Sequence, residues 1–197
     1  MVNEILLFIS AAADLESERA LLSRVVAEIP LDIGWRIVQS PVKGEVVDLK
    51  PVLEADLHLL LLGSDIRAPI GLEWITSRRS VHMPTLFLKQ GIARTQAAQA
   101  FIRHIQEQAE WQNFIDATDL WRLVSRHLIE YLLKRAQIYN LTSAEIDKLE
   151  ASLSELGEKG KAGSEAERDV TGESSVILTV DRYMPSGGVI IQPPETH

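Results

Sequence analysis

The 197 residues carry 20 Lys and Arg against 28 Asp and Glu, a formal net charge of −8, with 46% hydrophobic residues, 24% charged residues and no Cys. A chain of this length buries a sizeable core, which excludes disorder throughout, and the missing thiols exclude disulfides, thiolate metal sites and a Cys nucleophile. The negative charge opposes sequence-independent attraction to nucleic acid or an anionic membrane surface, so neither is an expected partner.

The opening Met1-Val2-Asn3-Glu4 has no basic segment, and the apolar run Ile5 to Ile9 is too short for a secretory or spanning segment; both features point to a cytoplasmic protein. That run reads as a strand covered on both faces and leads into Ser10 and three alanines. Leu15, Ala20, Leu21, Val25 and Ile29 then recur at helical spacing, with Asp14 placed to cap the start, Glu18 and Arg19 on a solvated face and Pro30 beyond the end. A second strand over Trp35 to Val38 and a short helix over Asp48 to Ala55 precede the strongest strand signal, Leu57 to Leu62, which Gly63 stops. Ile70 to Ser80 predicts a helix and Pro84 to Leu88 a strand. Ala97 to Gln108 predicts a further helix with Ala98, Phe101, Ile102 and Ile105 inward. Strands alternating with helices predict right-handed crossovers and an α/β fold with a parallel sheet.

No strand is expected between this unit and the C-terminal tail. Leu120, Leu123, Val124, Leu128, Leu132 and Leu133 mark an amphipathic helix that closes the domain. Thr142 and Glu145 have the spacing of a capping box, and the helix they open carries an apolar stripe of Ile146, Leu149, Leu153 and Leu156. Gly157 to Ser174 has almost nothing to bury and reads as a mobile linker. Val176 to Val180 and Val189 to Ile191 flank Met184-Pro185-Ser186-Gly187-Gly188 as a β-hairpin, which is marginal alone and is expected to join a sheet edge in its own chain or a neighbour's. The expected organisation is an α/β domain over 1–137, a helical extension over 138–157, a flexible linker over 158–174 and a hairpin tail over 175–197. The unpaired stripe and the hairpin together predict a homo-oligomer, and folding back onto the same domain is the alternative.

A hydroxyl at the carboxyl end of the first strand, facing the next helix, sits where open α/β sheets bind ligands, so Ser10 and Asp14 are candidates for touching a ribose or phosphate. Glu73 follows Gly71 just beyond the longest strand, which places its carboxylate at the same rim. Glycosidic cleavage passes through an oxocarbenium-like state that a nearby carboxylate stabilises or traps. A Glu near a helix start also simply favours the helix dipole. Asp65 and Arg67, in the intervening loop, are candidates for a hydroxyl and a phosphate, and Trp74 for stacking on a base, although an aromatic there also suits the core. The five His residues lack metal-ligand spacing, and neither a phosphate loop, a nucleophile elbow nor a dinucleotide fingerprint is present; no metal or cofactor is expected.

The string Phe8-Ile9-Ser10, followed by Asp14-Leu15 and Glu18-Arg19 entering a helix, resembles the opening of bacterial TIR-like domains that stand in front of signalling or conflict-system NTPases. Ala55-Asp56 before an apolar strand ending at Gly63, Glu73, the strand Met83 to Leu88 and Asp119-Leu120 before a helix follow in the same order. The resemblance covers about residues 4 to 135. It implies a flavodoxin-like parallel sheet flanked by helices and a place in the superfamily that includes nucleoside deoxyribosyltransferases, some of whose members cleave the N-glycosidic bond of NAD or of nucleosides. Glu73 corresponds to the catalytic Glu of those enzymes, although Ile70-Gly71-Leu72-Glu73 has neither the Trp-Cys of many TIR domains nor the Asp-Gly-Thr of the transferases. The expectation is a signalling or defence domain that recognises a nucleotide-type ligand and self-associates or is read by a separately encoded effector. The rival is a non-enzymatic interaction and oligomerisation module, and deoxyribosyl transfer ranks third.

Overall fold

The computed structural model describes residues 4–41, 45–79 and 83–169, the last twelve of these as helical backbone only. Five strands, β1 (Glu4–Ala11), β2 (Gly34–Gln39), β3 (Leu57–Leu62), β4 (Thr85–Lys89) and β5 (Trp111–Phe114), form one sheet in the order β2-β1-β3-β4-β5. Every pairing is parallel, with Phe8 beside His58 and Ile9 beside both Gln39 and Leu59. This is the flavodoxin-like α/β arrangement. Its strand order reverses between β1 and β3, and a crevice therefore opens at their carboxyl ends.

Side-chain alternation sorts the core into two layers. Ile5, Leu7 and Ile9 of β1 with Leu57, Leu59 and Leu61 of β3 pack against α1 (Glu16–Ala27) and α5 (Ala117–Lys134). On the other face Leu6 and Phe8 meet α2 (Lys50–Glu54), while Leu60, Leu62, Leu86 and Leu88 meet α3 (Ala68–Arg78) and α4 (Gln96–Gln106). All six residues of β3 are buried, as the unbroken Leu-rich run requires of a central parallel strand.

Four expectations change on contact with the structure. Asp14 caps no helix: it lies in a single 3-10 turn, Ala13–Leu15, and Leu15 precedes α1 without a side-chain cap. Glu18 and Arg19 are buried rather than solvated, because Leu15, Glu18, Leu22 and Val25, like Leu15, Arg19, Leu22 and Val26, share the helical face turned to the sheet. The sequence reading also omits β5. It is a four-residue edge strand whose Gln112 and Asn113 have low strand propensity, and it exists through its pairing with β4.

The fourth change concerns the C-terminal helix α6 (Ser143–Asp169). Thr142 Oγ1 accepts from the Glu145 amide at 3.3 Å and the Glu145 carboxylate accepts from the Thr142 amide at 2.8 Å, completing the expected capping box. Leu149 and Leu156 are buried in the same cluster as α1 and α5, with Leu153 against it, so these three residues of the stripe find a partner within their own domain. The helix also continues over 158–169, where the sequence suggests a linker; Glu, Lys, Ala and Arg there are good helix formers that outweigh Gly160 and Gly163. Two compact units follow one another along the chain, Met1–Lys159 and Gly160–His197. The expected hairpin over 175–197 and the end of the linker lie outside the described residues. Among those described, no helix is long and apolar enough to cross a membrane.

Candidate functional site

Ser10 is the only polar residue between Ile5 and Ala12, and period-two alternation points it, like Phe8, to the α2–α3 side of the sheet. It is fully buried. Its hydroxyl donates to Oε2 of Glu73 at 2.5 Å and lies 2.7 Å from Nε2 of His58. His58 is the diagonal neighbour of Ser10 on β3, within reach on the same face. Ser40, one residue past β2, donates to the same Glu73 oxygen at 2.6 Å, and its amide prolongs the β1 pairing by bonding Ile9 O at 2.9 Å. The carboxyl ends of two strands, β1 and β2, thus converge on one carboxylate carried by α3, with His58 of β3 one bond behind.

Counting protons fixes the direction of this network. Ser10 has one hydroxyl hydrogen, and Glu73 takes it; His58 must then donate from Nε2. The ring is neutral with Nδ1 bare, and Nδ1 has no partner. Burial, which lowers the His58 pKa to about 3, agrees with a neutral ring, and the edge of Phe8 packs against it at 5.3 Å between centroids. Glu73 is 1% exposed. Burial pushes its carboxyl above the usual range, and the bonds from Ser10 and Ser40 and the charge of Arg19 act the other way without cancelling the shift. Its Oε1 has no partner.

Arg19 secures the second side of the site. Its Nε donates to Gln39 Oε1 and its Nη2 to Ser40 O, both at 3.0 Å, which locks the end of β2 to α1. Ser40 and Arg19 also line a neighbouring cavity of about 30 Å3, together with Ala12, Pro41, Arg67 and Ile70, among others. That is room for roughly one or two waters. Its lining holds two guanidinium groups and no carboxylate, and Arg67 is exposed without an ion pair among the described residues.

The other predicted site residues sit elsewhere. Asp14 accepts from the Ser64 amide at 2.7 Å and the Ser64 hydroxyl at 2.6 Å, tying the β1 loop to the β3 loop. That approach requires Gly63, where a Cβ would collide with the Asp14 carboxylate. Asp65 accepts from Thr95 Oγ1 at 2.7 Å and braces the start of α4. Glu18 meets Lys89 Nζ at 2.6 Å; burial works to raise its pKa, and the bonds from Lys89 and Ser17 outweigh that and leave it lowered. Trp74 is 1% exposed and packs edge-on against Phe101, so it is a core ring, not a stacking surface. The structure therefore joins Ser10 to Glu73, sets Arg67 on the neighbouring cavity that Ser40 lines, and gives Asp14 and Asp65 to loop bracing.

Sequence reasoning missed Ser40, Arg19 and His58 as parts of the network. Two of them carried a signal: a lone His inside a doubly buried Leu run, and an Arg in register with Leu15 and Leu22. Ser40 carried none, since a Ser after a strand is routine turn chemistry. Among the described residues no group of three or more His, Cys, Asp or Glu is arranged to hold a metal ion. Comparison with protein-family models finds no match for this chain, and comparison with curated proteins finds none either.

Proposed function

We propose that this chain is a TIR-like signalling or defence domain that takes a nucleotide-type ligand at the carboxyl rim of β1 and β2, with Glu73 serving hydrolysis of a ribosyl N-glycosidic bond. One observation carries the reading: a buried carboxylate fixed by the hydroxyls of Ser10 and Ser40, where Ser40 also lines a small cavity together with Arg19 and Arg67. A carboxylate held in a dry site stabilises oxocarbenium charge far more than one in water, because it need not be reorganised as the charge develops. The guanidinium groups suit phosphates of the same ligand. His58 fixes the Ser10 hydroxyl toward Glu73 and is a positioning residue. A ribose is larger than the cavity, so binding requires the turn carrying Arg67 and Pro69 to move outward from Ser40.

A second reading, a non-enzymatic interaction module, has its own support. Leu72 and Ile75 lie three residues apart on α3 and are 47% and 48% exposed, an apolar stripe on the outer face of the helix that holds Glu73. In that case the network is a structural lock that positions α3 for a partner. Incubating the full chain with NAD and a panel of nucleosides beside Glu73→Ala separates the two. Release of free base by the wild type and its loss in the variant supports the glycosidase; no release by folded protein overturns it in favour of the interaction module.

A further inference from the structure

We propose that the groove at the carboxyl ends of β4 and β5, walled by α4, is a second ligand site and takes a phosphorylated small molecule. The groove is open to solvent along one side and offers about 620 Å3, the size of sites that hold nucleotide- or cofactor-sized molecules. It lies on the far side of the sheet's carboxyl rim from Glu73 and does not depend on the glycosidase reading.

Its chemistry is specific. The chain as a whole carries a net charge of −8, yet the groove lining contains Arg94 and Arg103 and no carboxylate. Neither guanidinium forms an ion pair among the described residues. Arg94 is anchored at one end, its Nη2 donating to Lys89 O, while its Nε is buried with no acceptor. A buried donor on a charged group without a partner is costly, and a phosphoryl oxygen is the acceptor that a guanidinium fork matches best. Arg103 is exposed on α4, free to close on the same anion.

The rest of the wall supplies the neutral part of the ligand. Gln90 and Asn113 bond to each other at 2.8 Å across the ends of β4 and β5, and α4 adds Gln99, whose Nε2 donates to Arg94 O at 3.4 Å, and the exposed Gln106. Carboxamides present a donor and an acceptor side by side, which suits the polar edge of a heterocycle or amide, and Leu88 and Ile102 give an apolar floor. An inorganic ion alone leaves most of this surface unused.

The test follows amide signals of the isotope-labelled full chain by NMR while inorganic phosphate, adenosine monophosphate or adenosine is added at millimolar concentration. Adenosine monophosphate is expected to shift signals of 88–94, 99–106 and 113, to bind about tenfold more tightly than phosphate, and to lose about tenfold in Arg103→Gln. Adenosine without its phosphate is expected to leave them in place. The site is overturned by an absence of shifts in the groove, by affinity unchanged in Arg103→Gln, or by phosphate binding as tightly as the nucleotide, which marks an adventitious ion only. Shifts confined to the surroundings of Arg19 and Arg67 also overturn it, while leaving the Glu73 reading intact.

Discussion

The two ends of the same sheet rim solve the problem of buried charge in opposite ways. Around β1 and β2, the buried Glu73 is held at Oε2 by two hydroxyls, with a neutral imidazole one bond further on and a nearby Arg, while its Oε1 has no partner among the described residues. Around β4 and β5, Arg94 and Arg103 line a broad open groove together with the carboxamides of Gln90, Gln99, Gln106 and Asn113. Between them the loops are cross-braced by Asp14 to Ser64, Asp65 to Thr95 and Glu18 to Lys89. The first arrangement is suited to chemistry, in which a preorganised charge matters more than access, and the second to recognition, in which access matters more than preorganisation. One parallel sheet provides both because its carboxyl edge is wide enough for the central braces to separate them.

If the two regions are devices on one scaffold, weakening the scaffold lowers both together. Leu149 supports the sheet from the opposite face, and Leu149→Ala is expected to cost about 2–5 kcal/mol in denaturant unfolding. Hydrogen exchange is expected to show equal loss of protection in β1 and β4; loss in one alone would mean that the halves are not one cooperative unit. Light scattering of the same variant is expected to return the wild-type mass, because this stripe is covered within its own domain.

Separating the halves needs a change in the brace between them. Gly63→Ala drives a methyl into the Asp14 carboxylate and toward Leu15, 3.1 Å away, at an expected cost of about 1–3 kcal/mol. Adding Asp14→Ala removes the colliding group, so the double variant is expected to recover part of that loss. Coupling below about 0.5 kcal/mol would show that the two loops do not press on each other.

The dry pocket has a pH signature that the groove lacks. Glu73 titrates above its ordinary 4.5 when folded, so the native state holds the extra proton and stability falls as pH rises from 4.5 toward the folded value. His58 works in the opposite sense: its pKa drops from 6.5 to about 3, so the unfolded chain holds the extra proton and stability rises with pH across that interval. The two slopes oppose each other above 4.5. Glu73→Gln removes one of them, and its stability is expected to climb more steeply than wild type as pH rises above 4.5, by at most about 1.4 kcal/mol per pH unit. At neutral pH the variant is expected to be more stable by about 0.5–2 kcal/mol and to lack the proposed base release, the trade expected of a charge kept for function. A variant less stable than wild type at neutral pH would make Glu73 a structural lock.

Much of the scaffold was legible because its signals are strong and local. The run Leu57 to Leu62 matches β3 to the residue, and the capping box at Thr142 and Glu145 forms as the spacing requires. The pairing of Ser10 with Glu73 was also within reach, since both follow from placing polar residues at the carboxyl end of parallel strands. Legibility failed where tertiary contact overrides composition. Charge suggested a wet surface for Glu18 and Arg19, whereas the fold uses them as buried links to Lys89 and Ser40. Gln112 and Asn113 hid a strand that β4 imposes, and without β5 the groove beside it had no wall to be read from.

The smallest expected effect is the most discriminating for the groove. Arg103 is exposed, sits in the last turn of α4 and has no ion pair among the described residues, so Arg103→Gln removes no packing and no specific bond. Its favourable position near the helix carboxyl end is worth a few tenths of a kcal/mol at most when solvated. Denaturant unfolding is therefore expected to move by less than about 0.5 kcal/mol. A larger loss would mean that Arg103 is bound into the fold, and the groove would then be a structural feature. A neutral change leaves the guanidinium with no stabilising task in the free protein, which is how a group reserved for a ligand behaves, and contrasts with the penalty expected at Gly63 in the same assay.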